Sequence, residues 1–401
     1  MTMLSRRELL QRLGLGAITS GLSGISFARA DTDVRLVLVV LRGAVDGLAL
    51  APPYGDGNYA RLRGELALDA PGAQNGLLAL DGLFGLHPAL ANVHNLYEDR
   101  QALIVHAVAS PYRDRSHFDG QDVLENGASK VGDLRDGWLN RAIGPLGGGL
   151  GDATAIALSQ NTPLVLRGEN SVTSWAPSQL PDADDDTLRR IQALYANDEF
   201  FATRLTQALD SQEIAGGMSG MDRKRRGNDV TQTKALMEAA ARFLTAPDGP
   251  AVAVLEAGGW DTHANQGAGS GSLATRLCGL DEGLAALKSG MGSDWSQTVV
   301  AVVTEFGRTV KVNGTRGTDH GTATAALLLG GAINGGRVIT DWPGLRNKDL
   351  YQGRDLYPTT DLRSVFKGVL ADHLLIPTGY IEHEVFPDSG GAKPIDDLIR
   401  S

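Results

Sequence analysis

The sequence predicts an α/β protein with a mostly parallel central sheet flanked by helices. Several runs of Val, Leu and Ala are almost continuously apolar, which is typical of parallel strands covered on both faces. These runs alternate with helical or loop segments, as the crossovers of a parallel sheet require. The chain has 401 residues, of which 42% are hydrophobic, so it can bury one large core, with or without an inserted cap.

Seven segments are predicted strands, because each is a short apolar run bounded by turn residues. In chain order they are Arg35 to Leu41, Ala102 to Val108, Thr154 to Leu158, Leu164 to Leu166, Ala251 to Leu255, Val299 to Val303 and Ala323 to Leu329. The first run is the clearest, since Val and Leu fill it almost completely. The tail beyond Thr360 predicts one further helix with a looser end.

Residues from about 182 to 248 differ from the rest of the chain and predict a helical insertion or cap. The segment begins with acidic residues, and helical periodicity runs from Leu188 to Leu209. A linker rich in Gly, Met and basic residues, from Gly216 to Gly227, precedes a second helix predicted from Thr231 to Leu244. We therefore expect one α/β domain that carries this insertion.

The first thirty residues have the pattern of an export signal. Arg6-Arg7 precedes a mildly apolar stretch from Leu13 to Phe27, and Ala28-Arg29-Ala30 has the small-x-small pattern of a cleavage site. The arginine pair predicts a twin-arginine signal peptide over residues 1 to 30. An amphipathic helix of the fold would explain neither feature. We expect the twin-arginine machinery to export a single domain, residues 31 to 401, to the periplasm or beyond.

Composition argues against several classes of protein. The formal net charge of −10 disfavours non-specific binding to nucleic acid. Beyond the signal, no stretch of the sequence approaches the roughly 20 consecutive apolar residues that a membrane helix needs. Cys278 is the only cysteine, so the chain cannot form an internal disulfide. Packing must therefore stabilise the protein in an oxidising compartment.

Acidic and imidazole side chains follow the apolar runs at four places. They are Asp46, Asp261 with His263, Glu305, and Asp319 with His320. The carboxyl ends of parallel strands meet at one edge of a sheet, where α/β proteins bind ligands. Carboxylate oxygens and imidazole nitrogens suit zinc, manganese or magnesium. The sequence therefore predicts that these six side chains form the metal site of a metal-dependent hydrolase.

Most of these residues also have an ordinary structural explanation. Asp46 could cap a helix or form an Asx-turn, Asp261-Thr262-His263 could contain a surface pair, and Asp319-His320 could be a hydrogen-bonded pair in a loop. Glu305 is harder to explain in this way, because an ionised carboxylate at the lip of a buried strand needs a partner. The convergence of acids and imidazoles on four strand ends favours the metal site.

A candidate nucleophile follows the second predicted strand. Ser116 is expected at the start of a helix, where free amides and the helix dipole favour an anion, and metal coordination would make its hydroxyl easier to deprotonate. The alternative is that Ser116 only caps the helix, the commonest role of serine there. Arg113 and Arg115 could clamp an anionic group, although solvated arginines are common. His117 is assigned to the same substrate site.

Five motifs resemble an exported bacterial family catalogued as domain of unknown function 1501. They are Leu41 to Leu48, Arg115 to Asp119, Trp260 to Gln266, Thr304 to Thr309 and Gly317 to Gly321. That family in turn resembles a remote branch of the alkaline phosphatase, sulfatase and phosphopentomutase superfamily. The resemblance implies an alkaline phosphatase/sulfatase-like α/β fold across the mature chain. It also implies one or two metals beside a Ser, Thr or formylglycine nucleophile.

The resemblance assigns roles to five residues of this sequence. Asp46 matches the first-strand metal ligand and Ser116 the nucleophile. Asp261 and His263 match the ligands of one metal, and His320 matches its later histidine, although the spacing from Asp261 to His263 is shorter than the usual Asp-x-x-x-His. The chain also contains no Cys-x-Pro-Ser-Arg sulfatase signature, which disfavours formylglycine chemistry but leaves sulfate esters as substrates.

The second metal position of the superfamily has changed in this chain. Glu305-Phe306-Gly307 stands where Asp-His-Gly is usual, and a phenylalanine side chain cannot coordinate a metal. A second cation is expected to lie between Asp46 and Glu305. Asp319 could supply the missing ligand, or the position could hold calcium or magnesium, or it could be absent.

These features together predict an exported metal-dependent hydrolase of phosphate or sulfate esters. Ser116 is expected to attack the ester, and one or two divalent ions (zinc, manganese, magnesium or calcium) are expected to assist it. The competing hypothesis is a non-catalytic exported binding or accessory protein that keeps the fold. The loss of the late-strand histidine favours this alternative, whereas the retention of the other acids and imidazoles favours the enzyme.

Overall fold

The computed structural model describes residues 33–147, 153–177, 185–196, 198–215, 229–247 and 249–400. The predicted signal peptide and the predicted linker from Gly216 to Gly227 lie outside these described residues. No helix in the described part of the chain is long and apolar enough to cross a membrane.

A central sheet of nine strands organises the part of the chain that the structure describes. In chain order the strands are β1 (Arg35–Leu41), β2 (Leu78–Ala79), β3 (Gly85–Leu86), β4 (Ala102–Ala109), β5 (Ala155–Ala157), β6 (Val172–Ser174), β7 (Val252–Ala257), β8 (Thr298–Val303), β9 (Thr324–Leu329), β10 (Arg337–Ile339) and β11 (Thr360–Asp361). The order in the central sheet is β10-β4-β9-β8-β1-β7-β5-β6, with β11 also paired to β4. The short strands β2 and β3 form a separate antiparallel pair.

The central sheet is parallel except at one strand. β9 runs antiparallel to both of its neighbours, β4 and β8, whereas the other pairings are parallel. This confirms the predicted mostly parallel α/β sheet. The reversed strand has a consequence for the site, because the amino end of β9 lies at the same edge of the sheet as the carboxyl ends of its neighbours.

Helices cover both faces of this sheet. In chain order the helices are α1 (Gly47–Leu50), α2 (Tyr59–Arg63), α3 (Ala91–Glu98), α4 (His117–Asn126), α5 (Trp138–Ile143), α6 (Asp185–Tyr195), α7 (Glu199–Ile214), α8 (Asp229–Thr245), α9 (Ser272–Met291), α10 (Leu362–Asp372) and α11 (Thr378–Tyr380). Alternate residues of β1 enter two different cores: Val37 and Val39 pack in the cluster that includes α8 and α9, whereas Leu36 and Leu38 pack in the cluster that includes α5 and α10. Successive side chains of a strand point to opposite faces of the sheet, which explains why neighbouring residues of β1 belong to different cores.

Three helices, α6 to α8, lie in the region where the helical insertion is predicted. The last of them, α8, packs against α9 and β7, and its side chains Phe243 and Leu244 are fully buried. Gly290 of α9 allows this close approach, since a Cβ atom there would lie 2.6 Å from the Cβ of Ala241. α8 therefore contributes to the main core.

Six of the seven predicted strands are confirmed, and the segment Leu164–Leu166 is wrong. It forms a turn of 3₁₀ helix, in which Leu166 N–H donates to the Pro163 carbonyl at 3.0 Å. Three apolar residues are too few to distinguish a strand from a buried helical turn. The sequence did not predict strands β6 and β10, because each has only three residues and none of them is fully buried.

Candidate metal centre

The candidate site residues meet at one edge of the central sheet. His117 begins α4 in the segment after β4, and Asp261 follows β7. Glu305 follows β8, and His320 precedes β9. Because β9 is antiparallel to β8, the end of one strand and the start of the next lie side by side. An isolated bridge between Arg308 and His320 closes the loop between them.

Three imidazole rings point their Nε2 atoms at the carboxylate of Asp261. The distances from Nε2 to the nearest carboxylate oxygen are 3.4 Å for His117, 3.0 Å for His263 and 3.2 Å for His320. One ligand atom from each of His117, Asp261 and His320 lies within 4.8 Å of the others. These three residues are called the metal trio below, because ligand atoms so placed could share one ion.

The Nδ1 atom of each ring is held by an oxygen acceptor. His117 Nδ1 lies 2.8 Å from Glu305 Oε1, His320 Nδ1 lies 2.9 Å from the Arg115 carbonyl oxygen, and His263 Nδ1 lies 3.2 Å from Asp319 Oδ1. Each acceptor requires a proton on Nδ1, so in the neutral ring the lone pair is on Nε2. Metal-binding histidines in proteins are oriented in this way.

The donor set fits a metal ion of the zinc class. His263 Nε2 and His320 Nε2 lie 3.0 Å apart, so two lone pairs face each other beside the carboxylate of Asp261. Such a group of acceptors needs a proton or a cation to stabilise it, and imidazole with carboxylate is a common zinc ligand set. The side chains of Asp261 and His263 are 39% and 45% exposed. The cluster is therefore open to solvent.

Neighbouring charges set the protonation of the cluster. The hydrogen bond to Glu305 raises the pKa of His117 above its usual value. Burial alone would raise the pKa of Asp261, but the hydrogen bond and charge of Arg308 hold it below the usual value. Burial lowers the pKa of His320. Asp261 is thus ionised and His320 neutral near pH 7, as metal ligation requires, whereas an ion at His117 would displace a proton.

Glu305 is fully buried and orients His117. Its Oε1 accepts hydrogen bonds from Gly43 N–H at 2.9 Å and from His117, and its Oε2 accepts one from Thr304 at 2.8 Å. Burial would raise the pKa of Glu305, but the hydrogen bonds, first of all that from His117, hold it below the usual value. Glu305, which the sequence predicts as a metal ligand, thus holds the Nδ1 side of His117.

Asp46 lies outside the metal trio and has a different partner. It is almost completely buried, and its Oδ2 forms an ion pair with Arg63 Nη2. The same oxygen accepts a hydrogen bond from Gln266 Nε2 at 2.7 Å. Asp319, the remaining predicted ligand, contacts His263 Nδ1 and accepts a hydrogen bond from Asn313.

Ser116 stands at the N-cap position of α4, directly before His117. Its side chain makes no capping hydrogen bond, and its backbone N–H donates to Tyr112 Oη at 3.0 Å. The serine therefore occupies the predicted position without performing the ordinary capping task.

The two predicted anion-binding arginines have protein partners. Arg113 Nη1 donates to the carbonyl oxygens of Ser110 and Tyr112. Arg115 Nε donates to Asp355 Oδ2 at 2.8 Å, and its backbone has a left-handed φ of 65°, which residues with side chains rarely adopt. Since the Arg115 carbonyl receives His320 Nδ1, this strained residue positions a member of the metal trio.

Sequence reasoning missed several residues of this site. Arg308 is fully buried, forms an ion pair with Asp261 and also donates to the Thr318 hydroxyl. The ring of Phe306 packs beneath the cluster, with ring centroids 5.1 Å from His117 and 5.3 Å from His320. Both residues belong to the Thr304 to Thr309 motif, and only this motif indicated in the sequence that they lie near the site. Arg63 belongs to none of the five motifs.

The fold and the site together define an α/β protein with a cluster of imidazole and carboxylate groups at the edge of its sheet. The chain belongs to the family described as protein of unknown function DUF1501, whose model matches residues 33–378. This confirms the resemblance of the five motifs. No curated protein sequence matches the chain.

Solved structures with a similar fold have low sequence identity to this chain. The phosphonate monoester hydrolase of Agrobacterium radiobacter is 11% identical, with 86% of this chain and 74% of that chain covered and a TM-score of 0.39. The C-terminal periplasmic domain of EcEptC from Escherichia coli, in complex with zinc, is 10% identical, with 75% of this chain and 74% of that chain covered and a TM-score of 0.35. The PsFucS1 sulfatase from Pseudoalteromonas is 11% identical, with 93% of this chain and 75% of that chain covered and a TM-score of 0.36.

Proposed function

We propose that this protein is an exported metal-dependent hydrolase of phosphate or sulfate esters with Ser116 as its nucleophile. The observation that carries the proposal is the convergence of three imidazoles on Asp261, each held at Nδ1 by an oxygen acceptor. Such a cluster at a solvent-open sheet edge favours a functional metal site. The ester class follows from the resemblance of the motifs to the alkaline phosphatase and sulfatase superfamily.

His117, Asp261 and His320 are the proposed ligands of one zinc-type ion. Two imidazoles and a carboxylate leave at least one coordination position for substrate, as in catalytic zinc sites. A bound ion would supply Lewis-acid chemistry to the anionic ester. His263 Nε2 also lies 3.0 Å from Asp261 Oδ1 and 3.0 Å from His320 Nε2, but His263 is the most exposed imidazole of the cluster, and we place it toward the substrate.

Ser116 is the proposed nucleophile because its hydroxyl makes no capping hydrogen bond and the residue stands at the start of a helix, where free amides favour an anion. In the proposed reaction, Ser116 Oγ forms a bond to phosphorus or sulfur while the bond to the leaving alcohol breaks. The serine proton is released and the alcohol gains one. Water then attacks the covalent ester and releases phosphate or sulfate.

One observation favours the alternative of a non-catalytic binding protein. The guanidinium groups of Arg113 and Arg115 are held by backbone carbonyls and by Asp355, so they contribute less to a substrate clamp than free arginines would. A protein of that kind would keep the ion and bind an anion without turnover. The experiment below separates the two functions.

The test compares metal-loaded parent with the variant Ser116→Gly on aryl phosphate monoesters, phosphate diesters and sulfates. Even where a serine side chain caps a helix, glycine replaces it at a cost of only a few tenths of a kcal/mol, and Ser116 makes no capping hydrogen bond. The variant should therefore stay folded, whereas turnover should fall on the order of a hundredfold or more. Ser296→Gly, at an exposed serine, is the control. Undiminished metal-dependent turnover in Ser116→Gly would remove the nucleophile assignment. Anion binding without turnover in the parent would favour the binding protein.

A further inference from the structure

We infer that the guanidinium of Arg63 takes the place of the second cation expected beside Asp46, so that the protein binds a single metal ion. The inference rests on the metal site proposed above, and it concerns residues outside the metal trio. A two-metal site of the superfamily type does not fit the side chains present here. The evidence is the set of partners around Asp46, Gln266 and Glu305.

Arg63 is a fixed internal cation. It ends helix α2, its side chain is 0% exposed, and its Nη2 forms an ion pair with Asp46 Oδ2. Its Nη1 donates to the carbonyl oxygens of Thr309 and Val310, each at 3.3 Å. An arginine keeps its charge under all physiological conditions, and a fully buried one cannot turn out to solvent. Asp46 therefore has a permanent positive partner.

Gln266 presents hydrogen-bond donors, not an oxygen, to Asp46. Its Nε2 donates to Asp46 Oδ2 at 2.7 Å, whereas its Oε1 accepts from Thr262 and Thr318, both at 2.8 Å. Rotation of the amide to offer its oxygen to an ion would break both of these hydrogen bonds. The surroundings of Asp46 Oδ2 are therefore those of a carboxylate neutralised by protein groups.

Two atoms of this region remain without a hydrogen-bond partner, and an ion bound at them would contradict the inference. Asp46 Oδ1 is buried and makes no hydrogen bond, and the same holds for Arg63 Nε. One acceptor and one donor on two paired side chains are what a single buried water molecule satisfies. A divalent ion at the same point would face the guanidinium at close range in a medium of low dielectric, where like charges repel strongly.

The other residue expected at the second position is already engaged. Both oxygens of Glu305 accept hydrogen bonds, from Gly43, His117 and Gln121 on Oε1 and from Thr304 on Oε2. In the residues that the structure describes, the cluster around Asp261 is the one place where three or more His, Cys, Asp or Glu side chains are grouped closely enough to share an ion. No second group of ligands remains there for an additional ion.

Metal stoichiometry of the full chain tests the inference directly. We would strip the protein with a chelator, add Zn²⁺, Mn²⁺, Mg²⁺ or Ca²⁺ separately, and count bound ions by mass spectrometry and calorimetry. The parent should bind one zinc ion and no second ion of any kind. Two ions per chain, with one lost in Asp46→Asn, would overturn the inference and leave the proposed function standing. No stoichiometric ion would overturn both.

The double variant Asp46→Asn with Arg63→Gln provides the matched control. It removes both charges of the buried pair at once, so neither is left unpaired, and it should bind one zinc ion within about threefold of the parent affinity. His320→Ala should weaken zinc binding by at least about a hundredfold, because it removes a ligand of the trio. Loss of zinc from the double variant would show that Asp46 holds the ion and would contradict the inference.

Discussion

Asp261 shows what single residues contribute to the site and how far the sequence reveals it. Its position after an apolar run made it a predicted ligand, and the structure places His320 and His263 against it. The orienting contacts could not be predicted in the same way. His117 owes its place to Glu305, which lies 188 residues away in the chain, and no local pattern in the sequence indicates such a pairing.

At this scale we predict different effects from removing His117 and His263. His117→Ala should weaken zinc binding by at least about tenfold, because it removes a member of the metal trio. His263→Ala should keep one ion and lose turnover, because we place this ring toward the substrate. Competition with a chromophoric chelator measures the affinity, and His383→Ala, at an exposed imidazole, is the control. Equal zinc loss in both variants would show that His263 binds the ion together with the metal trio, and zinc loss in His263→Ala alone would restore the sequence-based ligand set of Asp261, His263 and His320.

At the scale of elements, the apolar runs predicted the strands well but not their directions. β9 is as apolar and as buried as its neighbours β4 and β8, so nothing in the run marks it as antiparallel. The turn that reverses the chain depends on close backbone contacts: Gly307 N–H donates to the Thr322 carbonyl at 2.8 Å, and Gly321 N–H donates to the Gly307 carbonyl at 2.8 Å. A Cβ atom on Gly307 would lie 2.0 Å from the Ala323 carbonyl oxygen. Glycine is therefore required there.

The junction of α10 with β1 gives a prediction of pH-dependent stability. His373 caps α10, and its Nε2 lies 2.9 Å from the Arg35 carbonyl oxygen. Burial lowers the pKa of His373 to about 4, against about 6.5 in the unfolded chain. Only the unfolded chain takes up a proton between these values. Stability present above pH 6.5 is therefore lost as pH falls toward 4, by about 2 kcal/mol between pH 7 and pH 5 for this group.

The variant His373→Gln isolates this contribution. Glutamine keeps an N–H donor for the Arg35 carbonyl but does not titrate, so the variant should lose less stability than the parent between pH 7 and pH 5. Urea unfolding at both pH values measures the difference. His106, whose pKa burial also lowers to about 4, remains in both proteins. An unchanged pH dependence in His373→Gln would contradict the assignment.

At the scale of the whole molecule, the α/β architecture was predictable because strands covered on both faces are apolar throughout. The boundaries of the helical insertion and the export signal stay predictions. We propose that the segment from residue 1 to residue 30 directs the protein to the twin-arginine machinery. The evidence is the sequence alone: the pair Arg6-Arg7, the apolar stretch and the Ala28-Arg29-Ala30 site.

Replacing both Arg6 and Arg7 with lysine should leave uncleaved precursor in the cytoplasm, because the machinery recognises the arginine pair. Cell fractionation with an antibody against the protein distinguishes precursor from mature chain. Arg12→Lys, in the same segment but outside the pair, is the matched control and should be exported normally. Normal export of the doubly substituted protein would rule out the twin-arginine route.

The members of the metal trio come from three segments that are far apart in the chain and adjacent only at the edge of the finished sheet. The site therefore cannot assemble until β4, β7 and the reversed strand β9 have all taken their places. Such long-range pairings form late, because the chain must first be brought together over large separations. An ion that needs all three side chains of the trio would therefore bind after these strands have taken their places. Occupancy by such an ion would then report that these strands are in place.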